Sequence, residues 1–281
     1  MTSFLSDLAQ YSFLQNALLT GLLASVACGM IGTYVVVRRI TYIAGGIAHT
    51  VLGGMGAAVY FQKVHGWSWS TPLLGAVISA LLAALIIGIV SLRARQREDT
   101  VISALWSIGM ATGILFIFRT PGYAQDLMSY LFGNILLVTA HDLWLLVGLD
   151  ILIVVVGTLC YNQFLAVCFD DEFARVRGLR VELYYLLLLC LAALTVVVLV
   201  SVVGIVMVIA LLTLPVAIAG MLTVNLRNMM VLSVLLTALF TTMGLAVSYE
   251  PDYPAGATTI VITGAAYLLV VAGKAILAGR R

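Results

Sequence analysis

The sequence predicts an all-α polytopic membrane protein of eight or nine transmembrane helices, and three observations carry that prediction. Of its 281 residues, 63% are hydrophobic and only 9% are charged, against roughly 25% charge in an ordinary soluble domain. Apolar runs of about 20 residues, enough for a helix to cross a hydrocarbon core of about 30 Å, recur from one end of the chain to the other. Lys and Arg gather between alternate runs, so the formal charge of +2 reports membrane orientation and not nucleic-acid binding.

In order, the runs fall near 13–37, 42–62, 72–92, 100–118, 142–162, 184–200, 203–221, 229–248 and 257–277. The segment leading into the first, MTSFLSDLAQYSFLQNALL, has neither a basic n-region nor a small-residue cleavage site, so the first run reads as a permanent helix. Arg38 and Arg39 precede the second run, and Arg93, Arg95 and Arg97 follow the third. Residues 119–141, RTPGYAQDLMSYLFGNILLVTAH, open on a Pro-Gly turn signal. They hold an apolar piece too short to span, which predicts an outer loop with a helix at or dipping into the membrane. Between 184–200 and 203–221 only Ser201 and Gly204 can turn the chain, so one long helix plus a re-entrant piece stands as the alternative to two crossings. With nine alternating crossings, these arginines fall on one side together with Arg175, Arg177, Arg180, Arg227, Arg280 and Arg281. Asp126, Asp142, Glu250 and Asp252 then fall on the other, which puts the N-terminus outside and the C-terminus inside. The whole chain, 1–281, is one transmembrane domain with no separate soluble part. Cys28, Cys160, Cys168 and Cys190 are scattered, with no C-x-x-C pair, and suggest neither a disulfide framework nor a thiolate zinc site.

The longest polar interruption is FDDEFARVRGLRVEL, 169–183. Asp170 or Asp171 can cap a short helix there, with acids in its first turn, Arg175 and Arg177 toward its end and Gly178 as a stop. Phe173 and Val176 are three apart and share a face, making an apolar knob on a charged helix. Such a knob suits a partner's groove; a loop helix resting on the headgroups is the plainer reading.

His49 is the sharpest chemical signal. An ionisable residue at membrane depth is costly and points to a cavity or bundle interior, and neutral imidazole is a common metal ligand. The structural alternative is a histidine satisfied by a neighbouring hydroxyl such as Thr50, Thr258 or Thr259. Around it, Gly45, Gly46, Gly53, Gly54 and Gly56 form a smooth groove for close helix packing; the alternative is a weakened, bent helix whose exposed carbonyls line a pathway. His65 lies with Trp67 and Trp69 in an interfacial loop. His141 and Asp142 start a span, where an ion funnel competes with helix capping by Asp142. Glu250 and Asp252 in YEPDYPAG make an outer acidic spot.

Enzyme signatures are absent: there is no H-E-x-x-H, no nucleophile elbow and no phosphate-binding P-loop. The chain is therefore expected not to be an enzyme, and uphill transport would draw energy from another subunit or from an ion gradient. A gradient-driven carrier calls for acids inside its spans; Asp150 is the main one here. A non-transporting scaffold, with His49 serving packing alone, is the third class.

Six segments together resemble the permease subunit of the zinc/manganese/iron-type metal-ion ABC importers. They are FLQNALLTGLLASVACGMIGTYVVVRRITYIAGGIAHTVLGG, REDTVISALWSIGMATGILF, SYLFGN, FDDEFARVRGL, VVGIVMVIALLTLPVAIA and YEPDYPAGATTIVITGA, whose order and spacing cover nearly the whole chain. The resemblance implies the fold of those permeases in a bacterial or archaeal cytoplasmic membrane, in contact with lipid and not with nucleic acid. It implies a homodimer or a pair of similar permeases with a path between them, two ATP-binding cassette subunits inside and an extracytoplasmic metal-binding protein outside. ATP would then act only through the partner ATPase, and no cofactor would be permanently bound. The 170–180 helix takes the place of the coupling helix, with Asp171, Glu172, Phe173, Ala174, Arg175, Val176 and Gly178 as its contact residues. His49 matches the histidine of a family motif reading Gly-Asp-Ala-x-Ser-His, while the aspartate's place is Gly45, the serine's is Ala48, and the proline four residues on is Gly53. With no carboxylate beside His49, the expectation tilts toward zinc over manganese. Glu250, Asp252 and Asp126 are the expected acids receiving the ion on the outer face.

Overall fold

The computed structural model describes residues 2–94, 97–121, 133 and 135–278. Twelve α-helices are seen among them: α1 (Thr2–Gln10), α2 (Ser12–Val37), α3 (Tyr42–His65), α4 (Pro72–Ala94), α5 (Glu98–Arg119), α6 (Ala140–Leu159), α7 (Tyr161–Phe169), α8 (Asp171–Val176), α9 (Val181–Val203), α10 (Ile205–Leu222), α11 (Leu226–Tyr249) and α12 (Ala255–Ala278). Nine of these are long and apolar enough to cross a bilayer, and they coincide with the nine runs read from the sequence. Of the 119–141 segment, a single 3₁₀ turn at Ile135–Leu137 precedes α6; the short helix expected there, Asp126 included, lies outside the described residues, as do Arg95, Arg280 and Arg281.

The join at Gly204 makes two helices. Gly204 adopts φ 86° and ψ 160°, a conformation essentially reserved for glycine, and α10 restarts at Ile205. Gly133, at φ 65°, lies against this joint so closely that a Cβ on it would meet the Val203 carbonyl carbon and stand 2.5 Å from the Gly204 nitrogen. The glycine of SYLFGN is thus required twice, by backbone angle and by contact.

Burial sorts the spans. Two thirds of α2 and α9 (67% each) is buried, so they stand at the centre, whereas α5 (17%) and α12 (6%) keep most of their surface outside the bundle. In the centre Tyr34, Phe164 and Tyr185 are fully buried; Tyr34 meets Phe164 edge-on at 5.2 Å and donates its hydroxyl to the Gly157 carbonyl at 3.4 Å. Ser233, Thr237 and Thr241, four apart on α11, are buried as well. Each donates to the carbonyl one turn back, at 2.7, 2.8 and 2.9 Å, which spares the bilayer interior an unpaired donor.

The glycines of α3 serve close helix packing, and their neighbours within the chain are α4 and α5. A Cβ on Gly53 would stand 2.8 Å from Thr112 Oγ1 and 2.9 Å from the Gly109 carbonyl, and one on Gly56 2.8 Å from the Gly113 carbonyl. On the other flank Gly54 faces Gly75 backbone to backbone. The reason is that α5 carries its own pair four residues apart, Gly109 and Gly113, so two matching seams close in cis and gain dispersion contact that lipid would not supply.

Candidate metal path and coupling helix

Tyr42, Gly45 and His49 recur at helical spacing and share one face of α3. Against it lies Trp106 of α5, whose indole stacks on the His49 imidazole with 4.3 Å between centroids and 9° between planes. Tyr42 tilts onto the same indole at 5.7 Å, and Trp106 Nε1 donates to the Met110 sulfur at 3.2 Å. A Cβ on Gly45 would be 3.5 Å from the indole and 3.6 Å from Ile209. The indole therefore occupies the space that a longer side chain at position 45 would enter.

His49 is half-buried, and its Nδ1 is buried without a hydrogen-bond partner. None of the three hydroxyls proposed to satisfy it does so: Thr50, Thr258 and Thr259 donate to their own helix carbonyls, of Gly46, Pro254 and Ala255, at 2.7, 3.1 and 2.8 Å. An unpaired buried nitrogen costs about 1–3 kcal/mol, which a bound ligand would offset.

Of the outer acids, Glu250 and Asp252 are not brought to His49. Sixteen residues separate His49 from His65 at the outer end of α3, about 24 Å at 1.5 Å per residue, so His49 lies in the inner half of the span. Glu250 caps α11 at the outer end and Asp252, exposed, has a left-handed φ of 55°. Among the described residues no group of three His, Cys, Asp or Glu side chains could hold a metal ion.

Asp142 serves as a cap: with Thr139 it forms a reciprocal capping box, the Thr139 amide donating to Asp142 Oδ2 at 2.9 Å. It also lines, with His141, Val51 and Met55, a cavity of about 440 Å³ between α3, α4, α6 and α9. Asp150 is buried on α6 in the neighbourhood of Ala27 and Cys28 of α2. Neither of its carboxylate oxygens has a hydrogen-bond partner among the described residues.

The 170–180 segment folds as its sequence dictates. Asp170 is the cap, its Oδ1 accepting from the Glu172 and Phe173 amides at 3.0 and 2.9 Å. The helix stops where Gly178, at φ 76°, donates to the Arg175 carbonyl (2.9 Å) and Leu179 donates to that of Ala174 (3.1 Å). Ala174 is buried, while Phe173 and Val176 are 55% and 87% exposed, so the knob stands free. Arg175 pairs with Glu182 at 2.8 Å; Glu172 is exposed. A cleft of about 650 Å³ runs beside Phe173, walled by Gln163, Phe169 and Arg177.

Two residues escaped sequence reasoning. Arg38, read only as a marker of membrane side, grips Asp171 through both guanidinium ends and donates to the Val167 carbonyl at 2.8 Å. Trp106 sits in REDTVISALWSIGMATGILF with no local signal of its partner; only pairing α5 with α3 exposes it.

The profile of the ABC 3 transport family matches residues 10–274. An uncharacterized membrane protein of Synechocystis is 44% identical over 94% of this chain and 91% of its own. A "Probable metal transport system membrane protein" of Chlamydia trachomatis is 41% identical, covering 90% of this chain and 86% of its own. "Manganese transport system membrane protein MntC" of Halalkalibacterium halodurans is 33% identical over 96% of this chain and 90% of its own. Among solved structures, PsaBC from Streptococcus pneumoniae in complex with Fab superposes with a TM-score of 0.82 at 29% identity, covering 96% of this chain and 94% of that one. An inward-facing metal-chelate type ABC transporter shares the fold, with a TM-score of 0.74 at 15% identity over 95% and 88% of the two chains.

Proposed function

The chain belongs to the ABC 3 transport family as the multi-pass permease subunit of a metal-ion ABC importer, and from that premise we propose that it passes a divalent transition metal inward beside His49. It is a transport subunit and not itself an enzyme. Two ATP-binding cassette subunits on the arginine-bearing face would hydrolyse ATP, and an extracytoplasmic metal-binding protein would deliver the ion to a pair of permease copies in the cytoplasmic membrane of a bacterium.

The observation that carries the path is the buried, unpartnered Nδ1 of His49 under the Trp106 indole. A permease must release its ion, so one imidazole with carbonyls and water suits a transient station better than a closed ligand cage. The exposed Phe173/Val176 knob on α8 is the proposed contact with the ATPase, and Glu250 and Asp252, with Asp126, are the proposed acids that attract the cation outside.

For the metal, the relatives favour manganese, which names the MntC protein of H. halodurans. Zinc, favoured by the sequence expectation, rests on the donor chemistry: an imidazole without an adjacent carboxylate suits zinc better than manganese. Uptake of manganese, zinc and ferrous iron by cells expressing the permease with its ATPase and binding protein tests both. Loss of uptake in His49→Ala with assembly and ATP hydrolysis intact supports the path; unchanged uptake removes it, and the ion taken up by wild type decides the metal.

A further inference from the structure

Helix α6 ends at Leu159 and α7 starts at Tyr161, with Cys160 between them outside helical geometry (φ −99°, ψ 15°). At this joint a crevice of about 570 Å³ opens between the end of α6, the start of α7 and α11, with Met30 of α2 at its floor. Its depth depends on Gly157, because a Cβ there would stand 3.1 Å from Met30 Cε.

The lining is sorted by height. Met30, Val231, Val234 and Leu235 form the deep part, and Tyr161, Asn162 and Arg227 gather at the end where α11 begins. From Arg227 to Leu235 is eight residues, about 12 Å at 1.5 Å per residue, most of the roughly 15 Å half-thickness of a hydrocarbon core. The polar end lies on the arginine-bearing face, at inner-leaflet headgroup height. Arg227 makes no ion pair among the described residues, so its five N–H donors are unspent beside an apolar slot.

We propose that this crevice binds an anionic phospholipid of the inner leaflet, with its phosphate on Arg227 and Asn162 and one acyl chain along Val231, Val234 and Leu235. A single molecule then supplies both complements the crevice lacks, an anion at the headgroup level and hydrocarbon below it. Basic positions facing the inner leaflet draw anionic lipid in this way. The site owes nothing to the metal path: it stands or falls separately from His49.

The test uses the full chain in nanodiscs of phosphatidylcholine with or without phosphatidylglycerol, reading retained lipid by native mass spectrometry and unfolding by temperature. Wild type is expected to retain phosphatidylglycerol selectively and to unfold at higher temperature with it present. Arg227→Ala is expected to lose about fivefold in that retention with unchanged unfolding in phosphatidylcholine, and Val231→Trp, which fills the slot from its exposed side, to lose retention altogether. Equal retention by wild type and Arg227→Ala, or of the two lipids by wild type, overturns the proposal. So does an efficient disulfide between two copies carrying Leu235→Cys in native membranes, since protein would then occupy the lipid's place.

Discussion

Arg38 closes on Asp171 with both ends of its guanidinium, Nη1 on Oδ1 at 3.0 Å and Nη2 on Oδ2 at 2.7 Å. The pair ties the first turn of α8, the proposed coupling helix, to the turn that leads into the His49 helix. Its side chains are only 18% and 35% exposed, and the guanidinium also lies 5.1 Å over the Tyr185 ring, so this is no loose surface contact.

Removing either partner takes from the other, partly desolvated, the two hydrogen bonds made across the pair. Arg38→Ala and Asp171→Ala are each expected to cost about 1–3 kcal/mol of stability, with the double variant costing less than the sum. If the pair also transmits ATPase engagement, metal uptake falls about tenfold while ATP hydrolysis continues, and the charge swap Arg38→Asp/Asp171→Arg restores part of it. Arg38→Lys should rescue poorly, because an ammonium cannot hold two carboxylate oxygens and the Val167 carbonyl in one plane. A double-mutant cycle run on both unfolding and uptake checks this; strictly additive effects on uptake would remove the transmission role.

Gly45 and Trp106 make a reciprocal pair. Gly45→Asp alone places a carboxylate against the indole, and is expected to lower uptake because overpacking costs about 1–3 kcal/mol. Combined with Trp106→Ala, the carboxylate gains room beside His49, and transport is expected to shift toward manganese relative to zinc, since a harder oxygen donor joins the imidazole. Competition uptake with both metals decides: no shift in the ratio would separate position 45 from metal choice.

The spans were legible because a bilayer admits little else than apolar helices of that length, and the α8 cap because Asp170 reaches only two and three residues ahead. What the sequence left open depends on pairing. Apolar residues broken only by Ser201 run up to Gly204 and continue beyond it, so only its φ separates two helices from one. The glycine groove of α3 was visible, but not that α5 carries the matching seam. Arg38 and Asp171 are 133 residues apart, beyond any local pattern, and the stack of Trp106 on His49 needs the same long-range knowledge.

The glycine seam gives a graded stability test. A Cβ on Gly109 would lie 2.5 Å from the Thr50 Cα, whereas one on Gly148, in mid-helix on α6, meets nothing within 4 Å. Gly109→Ala is expected to destabilise by about 1–3 kcal/mol by forcing α3 and α5 apart. Gly148→Ala is expected to be neutral or to stabilise by up to about 1 kcal/mol through helix propensity. Thermal unfolding in detergent separates them; equal shifts would mean that the α3–α5 contact is looser than the seam requires.

Cys168, at the inner end of α7, reports on the packing behind the coupling helix. Burial pushes its thiol from 9.0 up to about 12; the Arg38 guanidinium opposes the rise and the Asp171 carboxylate adds to it. Well below pH 9 the thiol is protonated in folded and unfolded chains alike, so it leaves stability unchanged. Between pH 9 and 12 the unfolded thiol ionises while the folded one keeps its proton, so stability falls as pH rises, by at most about 1.4 kcal/mol per pH unit. Cys168→Ser removes this contribution, and the difference between the two pH profiles isolates it. At pH 8 the same burial predicts maleimide labelling of Cys168 only after unfolding. In Arg38→Ala the carboxylate of Asp171 loses its counter-ion beside the thiol, so if packing holds, ionisation moves to still higher pH. Rapid labelling of the folded variant would show instead that Arg38 keeps α7 and α8 closed over Cys168.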